Sequence, residues 1–246
     1  MALVKDGAAA DPCAAGGRAV TLTSRIRRAL VLAPHPDDEV LGCGGTMARI
    51  VAEGGAVEVA IVTRGRPPRF DDAQAAQVRA EAERAHRQLG VTQTHFLDLP
   101  AAELDRMAQA DLNHAIASVV ARAEPDTLFI PFVGDLHIDH RLVFEAALVA
   151  ARPRGSRYPR RILAYETVSE TNWSAPGLAP AFHPNVFIDI TDHLEAKLAA
   201  FACFESQCQP APDERSLETL RALATVRGST VTRAAAEAFV LIREVD

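Results

Sequence analysis

The segment His35-Pro36-Asp37-Asp38-Glu39 places one imidazole and three carboxylates side by side in the chain. It follows an apolar run, residues 28–33, that is typical of a buried strand. Carboxylates packed this closely repel one another unless a cation neutralises them. The segment therefore predicts a metal ion at the end of a strand.

A second cluster lies in residues 134–140, where His137, Asp139 and His140 follow another apolar run, residues 127–132. Each cluster alone is also typical of ordinary structure, since His-Pro-Asp often forms a turn and Asp139 can lie in the first turn of a helix. Ligands in open α/β sheets, however, collect at the carboxyl ends of the strands. Two clusters at equivalent strand ends therefore favour one shared site.

The residue types of the two clusters suit the metal-assisted hydrolysis of an amide or an ester. Catalytic zinc takes three protein ligands from histidine and carboxylate groups and keeps a fourth position open. Ferrous iron with open positions accepts the same donors. A further carboxylate can remove a proton from the attacking water, and a further histidine can donate a hydrogen bond to the oxyanion that forms.

The elements that would position these groups alternate between strand and helix. This order predicts a Rossmann-like, three-layer α/β/α fold with a mostly parallel sheet and an active site at the carboxyl ends of its strands. Predicted strands cover residues 28–33, 57–63, 94–97, 127–132, 162–166, 186–190 and 239–243, the last at an edge of the sheet. Predicted helices cover residues 44–53, 71–89, 104–123, 141–151, 194–208 and 217–226.

Composition bounds the class of protein. The chain has 246 residues, is 48% hydrophobic and carries a formal net charge of −6. No run of basic residues offsets this charge, so we expect no nucleic-acid partner. No apolar stretch is long enough to span a membrane, and the start of the chain lacks a leucine-rich signal core. The four cysteines lack the paired spacing of a zinc site and are interpreted as reduced thiols of a cytoplasmic protein.

The domain organisation predicted from the sequence is simple. Residues 1–24 are expected to form a flexible amino-terminal extension. Residues 25–246 are expected to form a single domain, because neither an internal repeat nor a linker divides them.

Two of these motifs together resemble a known family. Residues 34–39, Pro-His-Pro-Asp-Asp-Glu, closely resemble the hallmark of the LmbE-like, or PIG-L-type, metal-dependent de-N-acetylases. The second hallmark, His-x-Asp-His after a later strand, corresponds to residues 137–140. The resemblance runs from Arg28 to Arg243. It implies a homo-oligomeric hydrolase that removes the N-acetyl group from an amino sugar or related glycoconjugate and releases acetate and a free amine.

The resemblance also implies a metal site and a base. His35, Asp38 and His140 match the ligands of one divalent ion, which we expect to be Zn²⁺, with Fe²⁺ as the alternative. Asp37 matches the general base, which activates water and later protonates the leaving amine.

Three neighbouring residues take supporting roles by the same resemblance. His137 matches the residue that stabilises the tetrahedral intermediate, and a protonated imidazole in that role would give a bell-shaped pH profile. Asp139 matches a carboxylate of the catalytic set that orients a histidine. Glu39 is interpreted as structural, holding its loop by hydrogen bonds.

Substrate contacts are expected from loops. Arg64 lies in the loop 64–72, and Trp173 and His183 lie in the Pro-rich stretch 173–184, which is predicted to pass over the site. Trp173 could stack on a sugar face or pack in the core.

The helix over residues 71–89 departs from the family's pattern. That pattern has an Arg-x-x-Glu motif in this helix; Glu81 fits it, but Val78 stands where the arginine would be and Arg79 is one place along. His86, in the same helix, is interpreted as part of a solvated face because arginine and glutamate surround it.

Other functions compete with deacetylation of a sugar. Another N-acyl amide, such as an N-acyl amino acid or an antibiotic intermediate, would suit the same chemistry. A non-catalytic metal- or carbohydrate-binding module is expected to lack a ligand or the base, yet all of them are present. A nucleotide-binding role is disfavoured because residues 42–45, Gly-Cys-Gly-Gly, match no phosphate-loop pattern. We interpret these glycines as letting the backbone pass beneath the metal.

Overall fold

The computed structural model describes residues 21–155 and 157–246. The predicted extension over residues 1–24 therefore lies mostly outside the described residues, as does Cys13. The last part of it packs onto the domain, because Thr23 is buried and the Thr21 hydroxyl lies 3.2 Å from Glu53 Oε2. Within the described residues, Cys43, Cys203 and Cys208 are free thiols, and no helix is long and apolar enough to cross a membrane.

A seven-stranded sheet with the order β3-β2-β1-β4-β5-β7-β6 forms the centre of the described structure. Strands β1 to β5 run parallel, and β7 pairs antiparallel with both β5 and β6. The strands are β1 Arg28–Ala33, β2 Ala56–Arg64, β3 Gln93–Pro100, β4 Thr127–Pro131, β5 Arg161–Tyr165, β6 Val186–Asp189 and β7 Ala236–Glu244. The helices are α1 Asp38–Ala52, α2 Asp72–Leu89, α3 Gln109–Ala123, α4 Ile138–Ala150, α5 Leu194–Phe201 and α6 Leu217–Ser229.

Helices cover both faces of the sheet, as the alternation in the sequence predicts. Alternate strand residues face opposite sides: Val31 packs in one core cluster and Leu32 in the other. The first cluster includes buried residues of α1, α2, α5 and α6, and the second includes those of α3 and α4. The three-layer α/β/α fold is therefore confirmed. Apart from the first residue of β1 and of β5, the central strands β1, β4 and β5 are buried, as is typical of parallel sheets.

Several predictions about individual elements were wrong. The strand β7 is internal, because it hydrogen-bonds to β5 on one side and to β6 on the other, so it is not at an edge. The helices α1 and α4 begin at Asp38 and Ile138, which places candidate site residues in their first turns. The helix α5 ends at Phe201, and the chain continues as turns to Ser216, the N-cap of α6.

The glycines of residues 42–45 lie inside α1 and do not form a turn beneath the site. A Cβ added at Gly42 would overlap the ring of Tyr165, and one added at Gly45 would lie 2.7 Å from Ile190 Cδ1. These glycines therefore allow side chains of the neighbouring elements to pack against the helix backbone.

A buried ion pair binds the backbone of α1. Lys197 Nζ donates to the carbonyl oxygen of Leu41 at 2.6 Å and pairs with Glu237 Oε1 at 2.6 Å. The Glu237 carboxylate in turn accepts the backbone N–H groups of Gly45 and Thr46. The pair therefore fixes α1 to β7 and α5.

Candidate metal centre and active site

His35, Asp38 and His140 meet where β1 and β4 end. Candidate ligand atoms of these residues lie within 4.8 Å of one another. Asp38 Oδ2 lies 3.3 Å from His35 Nδ1 and 3.2 Å from His140 Nε2. Asp38 and His140 are fully buried, whereas His35 is partly exposed to the adjoining cavity. The structure therefore brings the three predicted ligands to one point at the carboxyl edge of the sheet.

The hydrogen bonds of His140 fit a cation at this point. Its Nδ1 lies 2.8 Å from Asp135 Oδ2, which fixes the ring, while its buried Nε2 has no hydrogen-bond partner in the described part of the chain. Histidines that bind metals usually have the other ring nitrogen bound to a carboxylate in this way. Burial lowers the pKa of His140, but Asp38 and Asp135 outweigh it and raise the pKa to about 10. The surroundings therefore favour positive charge beside this ring.

Asp139 is the carboxylate that contacts the His35 ring. Its Oδ2 lies 3.1 Å from His35 Nε2 and also accepts the backbone N–H of Ala102 at 2.8 Å. Burial lowers the pKa of His35, but hydrogen bonds with Asp139 and Asp38 raise it to about 9. His35, His137 and Asp139 form a second set of facing groups. We favour the first set for the metal because His140 Nε2 is buried and has no hydrogen-bond partner among the described residues, whereas His137 Nδ1 in the second set already accepts a backbone N–H.

Asp37 lies next to this set in a strained backbone conformation. It is the N-cap of α1 and has φ 111°, a value that costs a residue with a Cβ on the order of 1–3 kcal/mol. Its side chain is buried, and Arg215 Nη2 lies 3.1 Å from Oδ2. This contact lacks hydrogen-bond geometry, since Oδ2 has no hydrogen-bond partner among the described residues. Burial raises the pKa of Asp37 to about 8 against the opposing charge of Arg215.

His137 is both a helix cap and a wall of the cavity. Its Nδ1 accepts the backbone N–H of Asp139 at 3.1 Å, and its own backbone N–H donates to Glu170 Oε2 at 3.0 Å. A ring that accepts at Nδ1 is neutral and carries its hydrogen on Nε2. Burial and the charge of His35 lower the pKa of His137. The structure therefore favours a neutral imidazole donor and not the protonated one considered from the sequence.

A cavity of about 490 Å³ opens beside these residues. Of the three predicted substrate contacts, Arg64 lines this cavity, whereas Trp173 and His183 are exposed residues outside its lining. The indole of Trp173 instead donates to Glu214. The walls contributed by α2, β3 and the loop before α2 contain Phe70, Val78, Phe96 and an ion pair between Arg79 and Asp98, whose Nη1 and Oδ1 are 3.3 Å apart.

Three residues of the site had no assigned role in the sequence. Asp135 holds His140, Glu170 accepts the backbone N–H of His137, and Arg215 faces Asp37. The position of Asp135, shortly before His140 in the same loop, was a signal that could have identified it. Glu170 and Arg215 belong to long loops after β5 and α5, and no local pattern marks them.

The fold and the site together define a class of protein: a three-layer α/β protein whose site brings together two histidines and one aspartate that could hold a divalent metal, with a further carboxyl group beside them. A comparison with protein families gives the particular family. The family model described as GlcNAc-PI de-N-acetylase, PIG-L, matches residues 30–151. The chain belongs to the PIG-L family of de-N-acetylases.

Known proteins support this assignment. The chain is 30% identical over 235 residues to a 2'-N-acetylparomamine deacetylase of Streptomyces fradiae, an alignment that covers 82% of this chain and 80% of that protein. It superposes on the N,N'-diacetylchitobiose deacetylase of Pyrococcus horikoshii with a TM-score of 0.71 at 25% identity, covering 89% and 84% of the two chains. A 4-carboxy-2-hydroxymuconate hydratase of Pseudomonas putida KT2440 has the same fold, with a TM-score of 0.71 at 23% identity and coverage of 89% and 97%.

Proposed function

We propose that this protein is a metal-dependent hydrolase that removes the acetyl group from an N-acetylated amino sugar or related glycoconjugate and releases acetate and a free amine. The observation that carries the proposal is the buried carboxyl group of Asp37, which lies at the wall of the cavity beside the set His35, Asp38 and His140. A carboxyl group that can act as a base next to a possible metal site in a cavity is what hydrolysis needs.

We infer that His35, Asp38 and His140 hold one divalent ion, with Zn²⁺ as the first candidate and Fe²⁺ as the alternative. When bound, such an ion supplies a Lewis acid that polarises the acetyl carbonyl and makes water easier to deprotonate. Asp135 and Asp139 fix the rings of His140 and His35 from behind, so the ligand nitrogens are oriented before the ion arrives.

Asp37 would take a proton from the attacking water and later deliver it to the leaving nitrogen. Burial favours the protonated form of this carboxyl, and the charge of Arg215 favours the ionised form. The two opposing effects leave a group that can both accept and release a proton near neutral pH.

His137 would donate a hydrogen bond from Nε2 to the oxygen on which negative charge develops. Its cap bond at Nδ1 fixes the tautomer that carries the hydrogen on Nε2. A donor that is already oriented needs no reorganisation when the charge appears, and for this reason such donors lower the barrier.

The substrate class is inferred from the cavity and the relatives. A volume of about 490 Å³ is ample for a sugar ring with a substituent. Arg64, Arg79 and Asp98 line it with groups that can bind hydroxyls, while Phe70 and Phe96 offer apolar surface. The S. fradiae and P. horikoshii relatives are named as deacetylases of paromamine and chitobiose derivatives.

Hydrolysis of another N-acyl amide stays an alternative, since the groups around the acetyl carbon would be the same. The hydratase of this fold shows that the fold alone does not select the reaction. A non-catalytic binding role is disfavoured because the described site retains both the ligand set and the base.

We also infer that residues 25–246 act as one catalytic domain, because loops after β1, β4, β5 and α5 all reach the same cavity.

The test combines metal analysis with a substrate screen. The purified protein would be stripped of metal, reloaded with Zn²⁺ or Fe²⁺, and assayed for acetate and for primary amine over a panel of N-acetyl amino sugars and N-acetyl amino acids. Equal amounts of acetate and amine from a sugar, lost in Asp37→Asn, are expected. Release only from amino-acid substrates would select the alternative, and metal binding without any release would favour the non-catalytic role.

A further inference from the structure

His86 is a buried histidine outside the cavity whose position the sequence did not predict. It belongs to α2 and is only 2% exposed, so the interpretation as part of a solvated face was wrong. Its Nε2 lies 2.9 Å from Glu39 Oε1 and its Nδ1 lies 2.8 Å from the hydroxyl oxygen of Thr94. Both ring nitrogens therefore have partners. A buried polar ring that is fully paired in this way is held in one orientation.

Glu39 connects this histidine to the candidate base. The Glu39 side chain is completely buried, and its second oxygen, Oε2, accepts the backbone N–H of Asp37 at 3.1 Å. A carboxylate only accepts hydrogen bonds, so His86 donates from Nε2. The three residues thus form a chain of hydrogen bonds that runs from α2 to the backbone of Asp37.

The far end of this chain is the point where the backbone is strained. Asp37 has φ 111°, in a region that residues with a Cβ rarely adopt. Strained residues at functional sites persist only where their surroundings over-determine them. The hydrogen bond from the Asp37 N–H to Glu39 is such a constraint, and His86 fixes the carboxylate that provides it.

We propose that His86 is a positioning residue for the base Asp37 and acts through Glu39. The proposal rests on the proposed function, in which Asp37 removes a proton from water. Without the donor at position 86, the buried Glu39 carboxylate loses one of its two hydrogen-bond donors and shifts toward another donor. The Asp37 peptide then relaxes from its strained conformation and its side chain leaves the position in which it faces the site.

The main test compares two substitutions. His86→Leu removes the donor and leaves an apolar side chain of moderate size, whereas His86→Gln keeps an N–H donor. For the best N-acetyl sugar found in the screen, kcat of His86→Leu is expected to fall roughly 10- to 100-fold, as for a small misplacement of a reacting group. KM and metal content should be little changed, and His86→Gln should recover most of the loss.

A readout that does not depend on turnover keeps this proposal separate from the proposed function. The backbone amide of Asp37 should exchange its hydrogen faster in His86→Leu than in the wild type or His86→Gln, as measured by NMR on the full chain. If the wild type releases no acetate, the proposed function is wrong, but the exchange rate of the Asp37 amide still tests the positioning role. Unchanged exchange in His86→Leu defeats the positioning role whatever the activity.

A matched control separates positioning from simple loss of stability. His95 is also buried and paired with a carboxylate, with Nε2 2.6 Å from Glu58 Oε2, but it does not line the cavity. His95→Leu should lower the melting temperature without changing kcat or the Asp37 amide. An equal fall in kcat in both leucine variants would overturn the proposal.

Thr94→Val provides a milder variant in case His86→Leu does not fold. It removes the hydroxyl that holds Nδ1 of His86 and keeps the histidine itself. A smaller decrease in kcat with faster exchange of the Asp37 amide is expected. Normal values of both would overturn the proposal.

Discussion

The walls of the cavity come from two parts of the chain that differ in how they hold their functional groups. In residues 28–151, each candidate ligand and the base lies in the short loop or the first helical turn that follows β1 or β4. In residues 161–244, Glu170 comes from the long loop after β5, and Arg215 comes from the loop between α5 and α6, far from any strand end. The first part contains the atoms proposed to bind the metal and move protons. The second supplies charges that face those atoms.

This difference follows from what fixes each position. The pairing of β1 with β4, with Val31 opposite Phe129, places the two following loops side by side. Arg215 is placed instead by its loop, in which its Nη1 donates to Gln207 Oε1 and its backbone N–H to Asp213 Oδ1. We therefore expect substitutions in the first part to abolish metal binding or chemistry and those in the second to adjust the site.

The largest effect is expected from removal of a ligand. His140→Ala leaves two candidate ligands and an unpaired Asp135, so stoichiometric metal binding and activity should both be lost. Metal content after gel filtration, measured beside His95→Ala as a buried control, tests this. Full occupancy in His140→Ala would remove this residue from the metal site.

Asp135→Asn, which disturbs His140 only indirectly, should weaken metal affinity by roughly 10- to 100-fold.

Asp37→Asn should keep the metal and lose most turnover. The amide fills the same space but cannot accept a proton, and general-base contributions are typically ~10²–10⁴-fold in kcat. Metal titration together with steady-state kinetics checks both halves. Loss of metal from this variant would show that the roles of Asp37 and Asp38 have been exchanged.

His137→Ala should depress kcat by roughly 10²–10³-fold with a smaller change in KM, because only the developing charge needs the donor. The lowered pKa of His137 keeps its imidazole neutral, and protonation at acidic pH would break the cap at Nδ1. The stability that this cap contributes is present above the ordinary pKa of histidine and is lost as the pH falls through the lowered one. A neutral His137 has no descending limb of its own at alkaline pH, so the rate profile of His137→Ala should not lose one. Loss of a descending limb in this variant would show that the protonated form of His137 is the donor.

Much of the first part could be predicted because its signals are local. Helix α2 matches its predicted bounds to within one residue, since Asp71 caps its start and Gly90, with φ 75°, ends it. The ligand set of His35, Asp38 and His140 could be proposed because a strand end and a motif coincide there.

The features that could not be predicted depend on contacts between segments far apart in the chain. The spacing of residues in the sequence does not encode such contacts. His86 has the charged neighbours of a solvated residue, yet it faces inward to Glu39, which lies in another helix. The indole ring of Trp173 is of the kind that stacks on sugar faces, but it lies outside the cavity and donates a hydrogen bond to Glu214. In each case a single partner far along the chain determines the orientation.

The smallest of these effects is expected from Arg215→Met and tests the second part of the chain directly. Arg215 lowers the pKa of Asp37 against burial, which raises it, so its removal should raise that pKa further. A base must be ionised to act, and the ascending limb of the rate profile should therefore move to higher pH. A shift of one pKa unit would cost about tenfold in rate below the limb and almost nothing above it. Arg221→Met, which removes an exposed ion pair with Glu195 outside the cavity, is the matched control. A loss in Arg215→Met that persists at high pH and equals that of Asp37→Asn would mean that Arg215 contacts the reacting groups itself, and the division between the two parts of the chain would not hold.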